Sequence, residues 1–190
     1  SKHLGRVITT LYRATSYPTP AIRAASVKML GKFYLRTVTG NNDSSNITPY
    51  LVRLPDHINS LLSDKDINVR KQTASVLATL KPKGEFFLVE ACLNASSAIV
   101  RAAAAWGLRK VGPSCIRTLF VALKDSNKKV QQVVRQTIRS FEIYDIVESV
   151  NERDPTLKDS YKANIMEILD DVNEEDNGLK AHLLNVVQRL

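Results

Sequence analysis

The residues of this chain best equipped for chemistry are three arginines set in one recurring frame, Ile22-Arg23, Val69-Arg70 and Val100-Arg101. A guanidinium grips carboxylate or phosphate through a planar, two-pronged edge, so arginines repeated in one frame make either a row of ion pairs or a row of anion contacts. Each arginine stands about 100 degrees round a helix from the apolar residue before it, beside the seam where helices pack.

The other reactive side chains assemble into nothing catalytic. His3, His57 and His182 are scattered, and none belongs to an HExxH or a His-Glu pair. Only 7 glycines occur, with no GxxxxGK phosphate loop, no GxSxG elbow and no dinucleotide fingerprint. Cys92 and Cys115 form no CxxC pair and are too few for a disulfide framework, which points to a reducing compartment. The acidic run Asp170, Asp171, Glu174, Glu175, Asp176 lacks the alternating ligands and central glycine of a calcium loop and reads as solvated charge. No catalytic residue, cofactor or metal is therefore expected. No apolar run is long enough to cross a membrane, and no signal peptide opens the chain, so the expected location is the cytoplasm, with the nucleus as alternative.

What positions the arginines is a repeat. The frame of an apolar residue, a basic or polar one, and Leu or Ile seven places on recurs every 30 or 31 residues, at Val69, Val100, Val130 and Tyr161. Ile22 opens a further copy 47 residues before Val69, the excess falling in the polar stretch Gly40 to Thr48, read as an inserted loop. A fixed period of this size means stacked copies of one supersecondary unit. Counting from the apolar residue as zero, offsets 0, 4, 7, 8 and 11 fall on one helical face and predict the core. They give Val69, Thr73, Val76, Leu77 and Leu80 in the second unit and Ile22, Ser26, Met29, Leu30 and Phe33 in the first. The fifth gives Tyr161, Ile165, Ile168, Leu169 and Val172. A second amphipathic stretch precedes each such helix, at about Leu4–Ala14, Pro49–Leu62, Glu85–Leu93, Pro113–Leu123 and Ile143–Val150. Proline and glycine punctuate the joints, and Asp64 and Asp125 stand in the turns as expected helix caps.

A turn Asp followed by Val-Arg and then by Ala and Leu resembles the HEAT-repeat (armadillo-like) family, in its short variety. The resemblance spans nearly the whole chain and implies an all-α fold, a right-handed alpha-alpha superhelix of about five helix pairs plus a terminal helix. The chain is read as a single domain, residues 1–190, with units at about 2–39, 49–81, 84–111, 113–141 and 143–172 and a final helix at 179–190, and as a fragment of a longer array. The resemblance implies that the motif arginine pairs with an acid of the turn, here Asp64 or Asp125; Gln131 and Lys162 stand where the motif has Arg, and Ala95 where it has Asp, so a ladder of Asp and Arg between units is incomplete. The His-Glu pairs that hold iron in the family's hydroxylase branch are missing.

The resemblance also implies that second helices line a concave face, which directs attention to residues opposite the core stripe. These include Lys28, Lys71, Trp106, Arg109, Arg135 and Arg139, the candidate partner-binding strip, with Glu167 and Asp170 as its counterparts in the fifth unit. Trp106 is the only tryptophan, and tryptophan beside arginine is the composition of a binding hot spot. Charge is divided along the chain: residues 1–140 carry 22 Lys and Arg against 7 Asp and Glu, a net of +15, while residues 141–190 carry a net of −7. The expected role is a protein-interaction scaffold whose partner is another protein, through an acidic or extended segment. The alternatives are nucleic-acid binding through the basic first 140 residues and tubulin-type cytoskeletal binding. No membrane partner is expected.

Overall fold

The computed structural model describes residues 2–39, 51–153, 158–171 and 176–190, and among them every regular element is helical. Helices α1 (Lys2–Ala14) and α2 (Pro20–Thr39) form the first unit. The second holds α3 (Leu54–Asn59), continued by a 3-10 turn at Ser60–Ser63, and α4 (Ile67–Leu77). The third is α5 (Lys83–Asn94) with α6 (Ala98–Val111). A 3-10 turn at Pro113–Cys115 leads into α7 (Ile116–Ala122), which pairs with α8 (Lys128–Arg139). Then come α9 (Ile143–Arg153), α10 (Lys158–Asp171) and α11 (Asn177–Arg189). Helices pair in sequence, and the second helices α2, α4, α6 and α8 pack side by side in one row. The inserted loop at 40–48 lies outside the described residues.

The predicted helical face is the one that is buried. Val69, Thr73, Val76, Leu77 and Leu80 are all in the core, as are Val130, Val134, Thr137, Ile138 and Phe141 one unit beyond the next. The first unit departs from this rule: Ile22 and Met29 are 39% and 42% exposed, while Arg23, Ser26 and Val27 are buried. Offset seven is the position that leans on the preceding unit, since Gly107 at that offset packs on Ala74. Among the described residues no preceding unit packs on α2, and its offset-seven residue, Met29, is in solvent.

The fifth copy of the motif is a second departure. Helix α10 carries that motif with Tyr161, Ile165 and Ile168 buried as expected, yet it packs against the first helix α7, and α11 lies beside α8. The place after α8 in the row of second helices is thus held by α11. Glu167 is therefore not the counterpart of Trp106: it pairs with Lys124 on the α7 side. Periodicity fixes which face of a helix is apolar, but not which of two apolar rows receives it.

Glycine sets the closest approach between units. A Cβ on Gly84 would sit 2.1 Å from the Leu77 carbonyl oxygen, a backbone atom that cannot swing aside. Gly84→Ala is expected to destabilise the protein by about 2 kcal/mol, although alanine is the better helix former by about 1 kcal/mol. Denaturant unfolding checks this, and a stabilised variant would mean that α4 and α5 do not approach so closely.

Candidate interaction surface

The recurring arginines build the joints between units. Arg23 Nη1 donates to the carbonyls of Tyr17 and Pro18 in its own turn, at 2.9 Å each. Its Nε and Nη2 donate to the Asp64 carboxylate of the next unit, both at 2.7 Å. Arg101 repeats the arrangement, with Nη1 on the Ala95 and Ser96 carbonyls and Nε and Nη2 on Asp125 at 2.6 and 3.0 Å. Both pairs are largely shielded, with Asp64 and Asp125 side chains each 8% exposed. Hydrogen bonds from Arg23 and Arg101, helped by the backbone N–H of Asp66 and Asn127, hold the two carboxyls below the usual aspartate value against the opposing effect of burial.

Asp64 and Asp125 are thus rungs rather than the helix caps expected of them. The caps stand two residues on: Asp66 accepts from the N–H of Asn68 and Val69, and Asn127 from those of Lys129 and Val130. A legible signal was available, because the residue three before each apolar zero reads Thr19, Asp66, Ser97 and Asn127, all good N-cap formers. Gln131 keeps the bond to its own turn, Nε2 donating to the Asp125 carbonyl at 2.7 Å.

On the row of second helices the six strip residues divide into three groups. Lys71 on α4 and Trp106 on α6 come together, the ammonium lying 5.8 Å from the ring centroid in a cation–π contact. The indole is half-buried and packs against the core. Lys28 and Arg109 are exposed and make no hydrogen bond or ion pair among the described residues. Lys110, beside Arg109, donates to Ser75 across α4 and α6 at 2.6 Å. Arg135 and Arg139 both turn to Asp176 at the start of α11, at 3.9 and 3.4 Å. Asp176, read beforehand as part of a solvated run, in fact caps α11 by accepting from the Leu179 N–H and draws two strip arginines to it. Residues 172–175, with the predicted core residue Val172 and the acids Glu174 and Glu175, lie outside the described residues.

The remaining reactive groups are set apart from one another. His57 lies edge-on to the Tyr12 ring at 4.5 Å and bonds Thr15 through Nε2 at 3.0 Å, tying α1 to α3. Burial holds the imidazoles of His57 and His182 below the usual histidine value and pushes the Tyr12 hydroxyl up to about 12. Both cysteines are buried, and burial pushes the Cys92 thiol up to about 12. Among the described residues no group of three or more His, Cys, Asp or Glu is placed to hold a metal ion. No helix among them is long and apolar enough to cross a membrane.

No protein-family model matches this sequence, and no curated protein matches it. Among solved structures the chain is similar to the crystal structure of an engineered protein determined by the Northeast Structural Genomics Consortium. The likeness covers 96% of this chain and 95% of that one, at 14% identity and a TM-score of 0.42. The helical-repeat architecture accordingly rests on this chain's own stacked helix pairs.

Proposed function

We propose that this chain is a HEAT-type interaction scaffold, and that it holds an acidic, extended segment of another protein along the row α2, α4 and α6. The observation that carries the reading is the cluster of Trp106 with Lys71 above it and Arg109 and Lys110 one turn away, a half-buried aromatic ringed by cations on a repeat surface. Lys28 extends the basic strip one unit earlier. Arg135 and Arg139 are shared with Asp176, so a partner reaching α8 must compete with an internal acid. The role assigns no catalytic step to any residue. Two buried cysteines, too few for a disulfide framework, support a reducing setting, the cytoplasm with the nucleus as alternative.

The test is a titration of a protein captured at moderate salt, run beside a generic DNA duplex. Trp106→Ala is expected to weaken the protein partner by about 2 kcal/mol. Arg109→Glu, at an exposed position, is expected to slow association and flatten its salt dependence while leaving the melting temperature in place. Duplex binding with a steep salt slope, falling with each cation removed and indifferent to Trp106, would instead make the chain a nucleic-acid binder.

A further inference from the structure

The geometry points to a carboxylate-binding site at the turn between α5 and α6, where Arg70 and the Ser97 N–H would take an aspartate or glutamate side chain of a partner protein. It does not rest on the strip of second helices, because it lies in the turns. Arg70 repeats half of the arrangement seen at Arg23 and Arg101: its Nη1 donates to the Asp64 and Lys65 carbonyls, six and five residues back, at 2.7 and 3.0 Å. In the other two arginines that anchor turns Nε and Nη2 toward the next unit's turn, onto Asp64 and onto Asp125. For Arg70 the corresponding residue is Ala95. No carboxylate among the described residues bonds its Nε or Nη2.

The acceptor's frame is nonetheless built. Ala95 has φ −63° and ψ 133°, nearly the values of Asp64, φ −55° and ψ 141°, so the turn keeps the conformation of a rung while lacking its side chain. Asp64 and Asp125 each also accept from the backbone N–H two residues on, at 2.8 Å. The matching donor here is the Ser97 N–H, which makes no hydrogen bond among the described residues. The register that brings three donors to one carboxylate at Asp64 and at Asp125 thus holds an alanine here. Ala95 also borders an open groove of about 360 Å³ between α3 and α5, whose apolar lining includes Leu62, Phe87, Ala91 and Val100. Glu90 lines the same groove but is bonded by Asn94 Nδ2 at 3.0 Å. A peptide strand laid there can bury an apolar side chain while its neighbouring acid completes the ladder. A carboxylate is favoured over other anions because the rungs on either side hold one in the same frame.

The test uses N-acetyl-aspartyl-amide as probe, its asparagine analogue as control, and the NMR signals of the Ser97 amide and Arg70 Nε–H as readout. The aspartyl probe is expected to shift both signals saturably, and the asparagine analogue to leave them in place. Ala95→Asp is expected to move both signals without any probe, to raise the melting temperature, and to weaken the probe at least tenfold by supplying the missing carboxylate. Arg70→Gln should abolish the response while the protein stays folded, since Gln131 already fills the equivalent position with its own-turn bond intact. Equal shifts from both probes, no saturable shift, or a response that survives Ala95→Asp would overturn the proposal. Loss of the strip interaction in Trp106→Ala leaves these outcomes unchanged, so the two readings fail separately.

Discussion

Leu108→Ala is expected to lower the unfolding free energy by about 2 to 5 kcal/mol, while Lys71→Ala changes it by less than about 0.5 kcal/mol. Leu108 is fully buried on α6, in the middle of the row formed by α4, α6 and α8. The backbone there has little freedom to close a cavity. Gly107 already brings α6 so near α4 that a Cβ would lie 2.8 Å from the Ala74 Cβ and 3.0 Å from Leu88 Cδ2. On the other flank Thr137 Oγ1 donates to the Ala105 carbonyl at 3.2 Å, pinning α8 to α6. A site held from both sides retains most of the volume it loses, and the cavity term then adds to the lost transfer free energy. Because stability in a repeat stack is a sum of unit and interface terms, the damage should also separate the transition, with units one and two unfolding apart from the rest. Denaturant curves followed at Trp106 and by circular dichroism check both points. Coincident curves with a small loss would mean that the middle of the stack can collapse.

Much of this architecture was legible because one physical constraint repeats. A helix that must bury the same face against a neighbour in every unit writes the same offsets each time, and from Val69 to Phe141 those offsets name buried residues nearly without exception, Val100 being half-buried. The arginine frame was legible for the same reason, and its acids were correctly sought in the turns. What failed to show lies where the repeat's neighbours change. Ile22 and Met29 match the pattern yet face solvent, since among the described residues no preceding unit packs on α2. The motif of α10 is intact while its place in the stack is not, and Glu167 went with it to the α7 side. The strip was half legible. Offsets put Lys71 and Trp106 outward, but the contact between them, and the capture of Arg135 and Arg139 by Asp176, depend on how two different helices approach.

Asp125→Asn is expected to cost about 3 kcal/mol at neutral pH, which is large for a single turn residue. Removing the charge leaves Arg101 Nε and Nη2 facing a neutral amide in a joint where the Asp125 side chain is only 8% exposed. The loss sits at the lower end for a shielded pair because Nη1 keeps its bonds to the Ala95 and Ser96 carbonyls. Acidity provides an independent check. The hydrogen bonds from Arg101 hold the folded Asp125 carboxyl below its ordinary value of about 4, so the unfolded chain takes up the proton first. Stability contributed by this rung is therefore complete above about pH 5 and is lost as pH falls through 4 toward the folded value. The gap between wild type and Asp125→Asn should narrow over that same interval. Asp64 titrates in the same direction on Arg23 and survives in the variant, so the acid limb should shrink without vanishing. A gap that stays constant down to pH 2 would show that the Asp125 carboxyl is no more acidic in the folded chain than in the unfolded one and that the ion pair adds nothing. Replacing both partners by apolar residues of similar volume, Arg101→Met with Asp125→Leu, separates the remaining explanations. Recovery of most of the lost stability means that the single variant suffers from a stranded guanidinium, and no recovery means that the ladder itself joins the units.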